Sequence, residues 1–258
     1  MSFSCKEIVG YLDSLFTECA CPDDYSRNGL QVQCGDELST VAFAVDATSE
    51  TFSKAAELNA GLLVCHHGIF WGNGLRSITG IDAERIRILM KNDISLYAVH
   101  LPLDAHRTIG NNAGLADIIG LEAEAREPFG FVRGVYAGCI GNLCQRIAVG
   151  RLASILGNAL NTECRIYGCE PERLVQRVAI VSGAGEDEIP DAARMGADLL
   201  ITGELGHVGG IQAREYGIGV LHAGHYATET VGPKALMAAV SAHFNGLECR
   251  WIDADTKL

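Results

Sequence analysis

The chain has no apolar run approaching the roughly 18 residues that a membrane-crossing helix needs, so no helical membrane span is expected. It is also short of basic residues: 20 Lys and Arg stand against 32 Asp and Glu, a formal net charge of −12. Binding along a nucleic-acid backbone relies on clustered Lys and Arg. No basic stripe with interleaved aromatics occurs, and nucleic acid is not the expected partner. The one local group, Arg76, Arg85, Arg87 and Lys91, reads as the face of a helix. Absent too are a Gly-x-Ser-x-Gly elbow, a Walker-type phosphate loop and a complete dinucleotide fingerprint. An enzyme built on this chain would therefore draw on none of these nucleophile or cofactor signatures. No Pro/Gly/Ser-rich linker, repeat or low-complexity tract interrupts the chain.

What is present fits a globular protein. With 258 residues, 48% hydrophobic and 20% charged, one large or two modest domains with a real core are expected. Ten cysteines are scattered along the chain and read as small buried thiols of a cytoplasmic protein rather than a disulfide framework. Cys139/Cys144 and Cys164/Cys169 loosely imitate a zinc ribbon, but their spacing is wider than usual and their segments read as strand and helix. Near the N-terminus, Ser4-Cys5-Lys6-Glu7 reads as a capping box. It would open an amphipathic helix with Ile8, Val9, Leu12, Leu15 and Phe16 inside, rather than a secretory leader.

Strand and helix patterns alternate, which implies a layered α/β fold. Strands are expected at Val41–Val45, Leu62–Cys65 and Ser95–Val99, with helices near Ser49–Asn59, Ala83–Lys91 and Asn112–Ile119. A second block has strands Arg133–Ile140, Thr162–Tyr167, Gln176–Val181 and Asp198–Thr202, with helices near Leu152–Leu160 and Pro190–Met195. Strand Ile218–Leu221, a helix from Tyr226 and strand Glu248–Ile252 are expected to return to the first block. The expected partition is residues 1–125 plus 217–258 as a first α/β domain carrying the metal ligands, and 126–216 as a second.

Three segments that follow apolar strands carry the chemistry. They are Cys65-His66-His67, Asp104 in His100-Leu101-Pro102-Leu103-Asp104, and Gly224-His225-Tyr226-Ala227-Thr228-Glu229. In parallel α/β sheets, ligands gather beyond the carboxyl ends of strands. His225 and Glu229 are four apart, so at a helix start they share one face. His66 and His67 would point to opposite faces of a continuing strand, but a strand end lets the backbone rotate between them. Three imidazoles and two carboxylates exceed what one ion normally takes and suit two divalent ions. Mixed His/carboxylate ligation fits Zn, Mn or Fe and does not choose among them. Cys65 reads as core. Glu204, after a strand in Thr202-Gly203-Glu204, is either a helix-start acid or a residue facing the same cleft. His100 reads as a donor to a ligand carboxylate or a core histidine, and His222 as structural. The loop Gly183-Ala184-Gly185 could offer amides to a phosphate or be a plain turn.

These segments closely resemble the Nif-three-like dinuclear metal-binding family, also known as type 2 GTP cyclohydrolase I homologues. The resemblance rests on Asn28-Gly29-Leu30-Gln31-Val32, Val45-Asp46-Ala47-Thr48, His66-His67-Gly68-Ile69-Phe70-Trp71 and His100-Leu101-Pro102-Leu103-Asp104-Ala105-His106 with Gly110-Asn111-Asn112. Ser182-Gly183-Ala184-Gly185, Thr202-Gly203-Glu204 and Gly224–Glu229 complete it, so it covers nearly the whole chain. Many members carry Pro where this chain has Gly68, and the central insertion of longer members is missing, as in the short bacterial form. The resemblance implies two similar layered α/β domains with a dinuclear metal site in the cleft between them. Its ligands fall on His66, His67, Asp104, His225 and Glu229, and it favours for Glu204 either support of a metal ligand or proton transfer. It also implies a ring-like homo-hexamer. Two functions remain open: a metal-dependent hydrolase acting on a small nucleotide-like or heterocyclic substrate, as the GTP label suggests, or a non-catalytic metal-binding regulatory or metal-handling protein.

Overall fold

A computed structural model describes residues 2–72 and 77–256; Arg76 lies outside the described residues. The chain divides into two compact units, Met1–Leu103 with Pro233–Ala254, and Asp104–Gly232 with Asp255–Leu258.

The first unit is built on a five-stranded sheet ordered Glu248–Trp251, Thr40–Asp46, Leu62–His67, Ser95–Ala98, Gly29–Val32. The first four strands run parallel and Gly29–Val32 closes the edge antiparallel. Thr40–Asp46 and Leu62–His67 are buried along almost their whole length, as parallel strands covered on both faces must be. The connecting helices are Ser49–Glu57, whose N-cap Thr48 accepts from the Thr51 amide at 3.1 Å, and Gly80–Lys91. Phe52, Ala55 and Leu89 from these helices close over Ala42, Ala44, Leu63 and Leu96 of the sheet. Of the basic group expected on a helix face, Arg87 and Lys91 are exposed on Gly80–Lys91 and Arg85 is half-buried. The N-terminal helix is Cys5–Leu15 and buries Ile8 and Leu12, but the Ser4 side chain makes no capping bond.

The second unit holds a six-stranded sheet ordered Glu127–Val132, Val135–Ala148, Leu174–Val181, Leu199–Thr202, Gly219–His222, Arg165–Tyr167. Leu174–Val181, Leu199–Thr202 and Gly219–His222 are parallel, and the outer strands are antiparallel. Alternation sorts the central strands between two cores. Val178, Ile180, Leu199 and Ile201 meet Leu115, Leu152 and Leu156 of helices Asn111–Ile118 and Val149–Leu160. Ala179, Val181, Leu200 and Val220 meet Ile189, Ala192 and Ala213 of helices Ile189–Arg194 and His207–Glu215.

Three expectations are corrected here. The strand expected from Arg133 begins instead as a hairpin: Arg133 (φ 47°) and Gly134 (φ 89°) form its turn, with Val132 and Val135 paired across it. Positive φ at both turn positions matches the twist of the flanking strands. Strand Gly219–His222 does not return to the first sheet but pairs with Leu199–Thr202. The compact units therefore divide at 103/104 and 232/233 rather than near 125 and 217. Asp104, His225 and Glu229 belong to the second unit, and only His66 and His67 to the first.

Candidate metal centre

In the first unit, strand Leu62–His67 ends on the histidine pair. His66 is fully buried, and its Nδ1 donates to the Val99 carbonyl at 2.9 Å. A carbonyl can only accept, so the proton is on Nδ1 and the ring lone pair on Nε2. Asp46 stands opposite His67 in the parallel ladder, and its Oδ1 lies 2.8 Å from His67 Nδ1. The His66 and His67 rings do not diverge to opposite faces: their centroids are 4.6 Å apart, as a strand end permits. Gln31 secures the loop that follows, accepting from the Ile69 and Phe70 amides at 2.8 and 3.2 Å. A Cβ at Gly68, where many family members have Pro, would fall 2.4 Å from the Gln31 carboxamide and 2.6 Å from Ala98 Cβ.

His100 faces Asp24 rather than a ligand carboxylate, with Nδ1 3.0 and 3.2 Å from the two Asp24 oxygens. The Asp24 side chain is 1% exposed and also accepts from the Ser26 and Leu101 amides and from Asn28 Nδ2. Burial alone would raise its pKa. The hydrogen bond and charge of His100, with the Asn28 and Ser26 bonds, outweigh burial and hold the carboxyl at about 2. Trp71 meets the His100 ring edge-on at 5.1 Å and the His67 ring at 6.0 Å.

In the second unit, Asp104 sits in the short helix Leu101–Ala105 and is 7% exposed. Its Oδ1 accepts from Asn111 Nδ2 at 2.8 Å and Ser182 Oγ at 3.1 Å. Asn111 in turn accepts from the Gly232 amide at 2.7 Å. Gly224, at φ 85°, turns the chain from strand Gly219–His222 into helix His225–Glu229, a conformation that glycine adopts without a Cβ penalty. Across that turn His225 Nε2 lies 3.0 Å from Glu229 Oε2, and His225 Nδ1 lies 2.6 Å from Glu204 Oε1. Burial would lower the His225 pKa; the bonds and charges of Glu229 and then Glu204 reverse this and hold it at about 9. Two carboxylates thus stabilise positive charge at this imidazole, the field that a bound cation needs.

The Gly183 loop is spent internally. The Ser182 amide donates to Asn112 Oδ1 (2.8 Å), Gly183 to Thr228 Oγ1 (3.1 Å) and Gly185 to Thr202 Oγ1 (3.0 Å), which leaves no ring of amides for a phosphate. Its glycine has a different reason: a Cβ at 183 would lie 2.3 Å from Glu229 Oε1 and 3.3 Å from His225 Nε2. Among other histidines, His222 sits across the ladder from Arg165, and burial followed by that charge lowers its pKa, consistent with a structural residue. Cys65 is buried in the core, and no cysteine belongs to a group of candidate metal ligands among the described residues. All ten cysteines are free thiols. No helix among the described residues is long and apolar enough to cross a membrane.

Imidazole and carboxylate groups with hydrogen-bonded neighbours are the donor types that divalent cations take, and the residues present could hold such ions. These features define a mixed α/β protein with oriented His and carboxylate donors in both of its units. The model of the Duf34/NIF3 (NGG1p interacting factor 3) family matches residues 3–257, and the chain belongs to that family. A Pyrococcus horikoshii relative named GTP cyclohydrolase 1 type 2 homolog is 45% identical over 253 residues, covering 98% of each chain. Among solved structures, a protein ybgI of unknown function has a TM-score of 0.86 at 33% identity, covering 99% of this chain and all (100%) of that one. A Thermus thermophilus protein has a TM-score of 0.84 at 36% identity, with coverage of 99% and 100%.

Proposed function

We propose that this chain holds two divalent ions through His66, His67, Asp104, His225 and Glu229 and acts as a metal-dependent hydrolase on a small nucleotide-like or heterocyclic substrate. One observation carries the reading. Each of the three histidines commits Nδ1 to an oxygen of its own unit — Val99 carbonyl, Asp46, Glu204 — the bond that orients a metal-binding imidazole to ligate through Nε2. When bound, a pair of Zn, Mn or Fe(II) ions supplies a Lewis acid and a water of lowered pKa. The protein's residues supply orientation and proton transfer. Asn111 and Ser182 fix the Asp104 carboxylate through Oδ1. Glu229 has two oxygens where an imidazole offers one nitrogen, which suits it to bridging.

Glu204 orients His225 through Oε1, and its carboxylate is 52% exposed, so it can also exchange a proton with solvent or substrate. Glu204→Gln keeps an oxygen acceptor for His225 Nδ1. It should retain both ions, with affinity lowered no more than about 10-fold, and cut turnover by about 10²–10⁴. Full turnover in that variant would reduce Glu204 to an orienting group.

The relatives' name makes guanine nucleotide ring-opening the first reaction to test. Metal-stripped protein is reconstituted with Zn, Mn or Fe(II), its content measured by elemental analysis, and its activity screened on nucleotides, pterin precursors and phosphoesters. Two ions per chain with turnover is expected. One ion or none overturns the two-ion reading, and two ions without turnover on any class favours a metal-handling or regulatory role. The same reading includes cytoplasmic location and assembly as a homo-hexamer.

A further inference from the structure

The first unit carries a cavity of about 270 Å³ between the end of helix Cys5–Leu15, the segment that follows it and strand Ser95–Ala98. Phe16, Pro22, Tyr97, Val99 and Pro102 make its walls apolar. Cys21 adds a thiol that stays protonated, because burial first and then the Asp24 charge raise its pKa. One carboxylate lines the cavity. Asp13 Oδ1 accepts from the buried Tyr97 hydroxyl at 2.9 Å, which orients the group and leaves Oδ2 for a ligand. No lysine, arginine or histidine lines the cavity among the described residues, and Asp23, next to Pro22, is exposed. The field inside therefore favours a cation. The same walls anchor two histidines. Val99 lines the cavity while its carbonyl accepts from His66 Nδ1 at 2.9 Å. Asn28 lines it too, and its carboxamide accepts from the His100 amide at 2.7 Å and donates to Asp24 Oδ2 at 2.9 Å.

We propose that this cavity is a small-molecule site, distinct from the metal-donor cluster, that takes a compact apolar body bearing one ammonium group, and that its occupant acts through Val99 and Asn28 on the positions of His66 and His100. A volume just under the roughly 300–1,000 Å³ of drug-sized ligand sites limits the occupant to about ten heavy atoms. Phe16, Tyr97 and Val99 supply the apolar contact, and Asp13 receives the ammonium in a charge-assisted bond. An anion of the same size would meet Asp13 with no cation to receive it. A neutral body would cover Asp13 Oδ2 without pairing it, which costs affinity. The protonated Cys21 thiol makes the binding non-covalent. The coupling is local, since Val99 and Asn28 each touch the cavity on one side and hold a histidine on the other. It concerns the placement of those residues and holds whether or not the rings carry an ion.

The probe is 4-fluorophenethylamine, an aromatic body with one ammonium group. It is titrated into full-length protein stripped by a chelator, so that no ion receives the amine, and followed by fluorine NMR. A saturable shift is expected. The neutral 2-(4-fluorophenyl)ethanol should bind at least about 10-fold more weakly, and 4-fluorophenylacetate should not bind. D13N should weaken the amine at least about 10-fold, and A20W, which fills the mouth, should abolish its binding. Asp13 and Ala20 are both exposed, and far-UV circular dichroism checks that each variant is folded. In the wild type, the His66 and His100 amide resonances should shift with the same midpoint as the probe, and in A20W they should stay still. No saturable shift, equal affinity for the three probes, or binding unmoved by D13N and A20W overturns the site. Saturable binding that leaves the His66 and His100 resonances unmoved overturns the effector role.

Discussion

At the scale of single residues, the site depends on groups that are not ligands. Gly183 is the sharpest case. Gly183→Ala would drive a Cβ to 2.3 Å from Glu229 Oε1 and place a non-glycine residue at φ 61°. The backbone cost is about 1–2 kcal/mol, small beside the displacement of a proposed ligand. The expected result is folded protein that has lost at least one ion per chain, read by circular dichroism and elemental analysis; full loading would show that Glu229 can move aside. Asp24 gives a pH prediction. Its folded pKa is about 2, below the ordinary 3.8, so its contribution to stability is present above about pH 4 and fades as pH falls through about 2. Urea midpoints of the wild type should drop across that window, and Asp24→Asn should flatten the drop; parallel curves would reject the assignment. The proposed ligands were legible from strand-end positions and from the His225/Glu229 spacing. Their anchors were not. Asp46 is 21 residues from His67 and meets it only through sheet register, and Ser182 is 78 residues from Asp104.

At the scale of elements, Asn112 in helix Asn111–Ile118 ties the helix to its sheet. Its carboxamide donates to the Ala137 carbonyl at 2.7 Å and to Ser182 Oγ at 3.1 Å, and it accepts from the Ser182 amide at 2.8 Å. Asn112→Ala would strand these buried groups, at a cost of about 2–4 kcal/mol. A clearly lower urea midpoint is expected; an unchanged one would mean that water replaces the amide. The parallel strands were readable because strands buried on both faces are continuous apolar runs. Helix His207–Glu215 was not read. Two glycines interrupt it, and its apolar residues Val208 (63%) and Ile211 (45%) face outward, so no buried stripe marks its period. The turn at Arg133–Gly134 was missed because the strand expected over Arg133–Ile140 was begun on the two turn residues themselves, and Glu127–Val132 before them was not read as its partner strand.

At the scale of the whole molecule, the layered α/β architecture was legible from the alternation of elements, whereas the assignment of strand Gly219–His222 was not. Apolar content tells that a strand is buried and does not tell which sheet receives it. Assembly belongs to this scale too. Phe131 and Tyr136, 61% and 51% exposed with ring centroids 5.0 Å apart, are aromatic anchors of the kind that protein interfaces enrich. Light scattering is expected to give a hexamer, and Phe131→Ser/Tyr136→Ser should weaken it if this pair is buried in it; a monomeric wild type would reject the assembly.

The first unit is discontinuous in the chain: its strand Glu248–Trp251 pairs with Thr40–Asp46, across the Asp104–Gly232 segment of the second unit. On a ribosome adding about 5–20 residues per second, roughly 200 residues separate the two partners, a delay of about 10–40 s. Throughout that interval the apolar Thr40–Asp46 strand lacks its outer neighbour and presents an open edge of the kind that recruits other chains. The second unit, continuous from Asp104 to Gly232, can fold before the first is complete. Nascent chains cut short before residue 248 should therefore aggregate rather than accumulate as a smaller soluble species, because the strand that seals this edge of the first sheet has not yet been made.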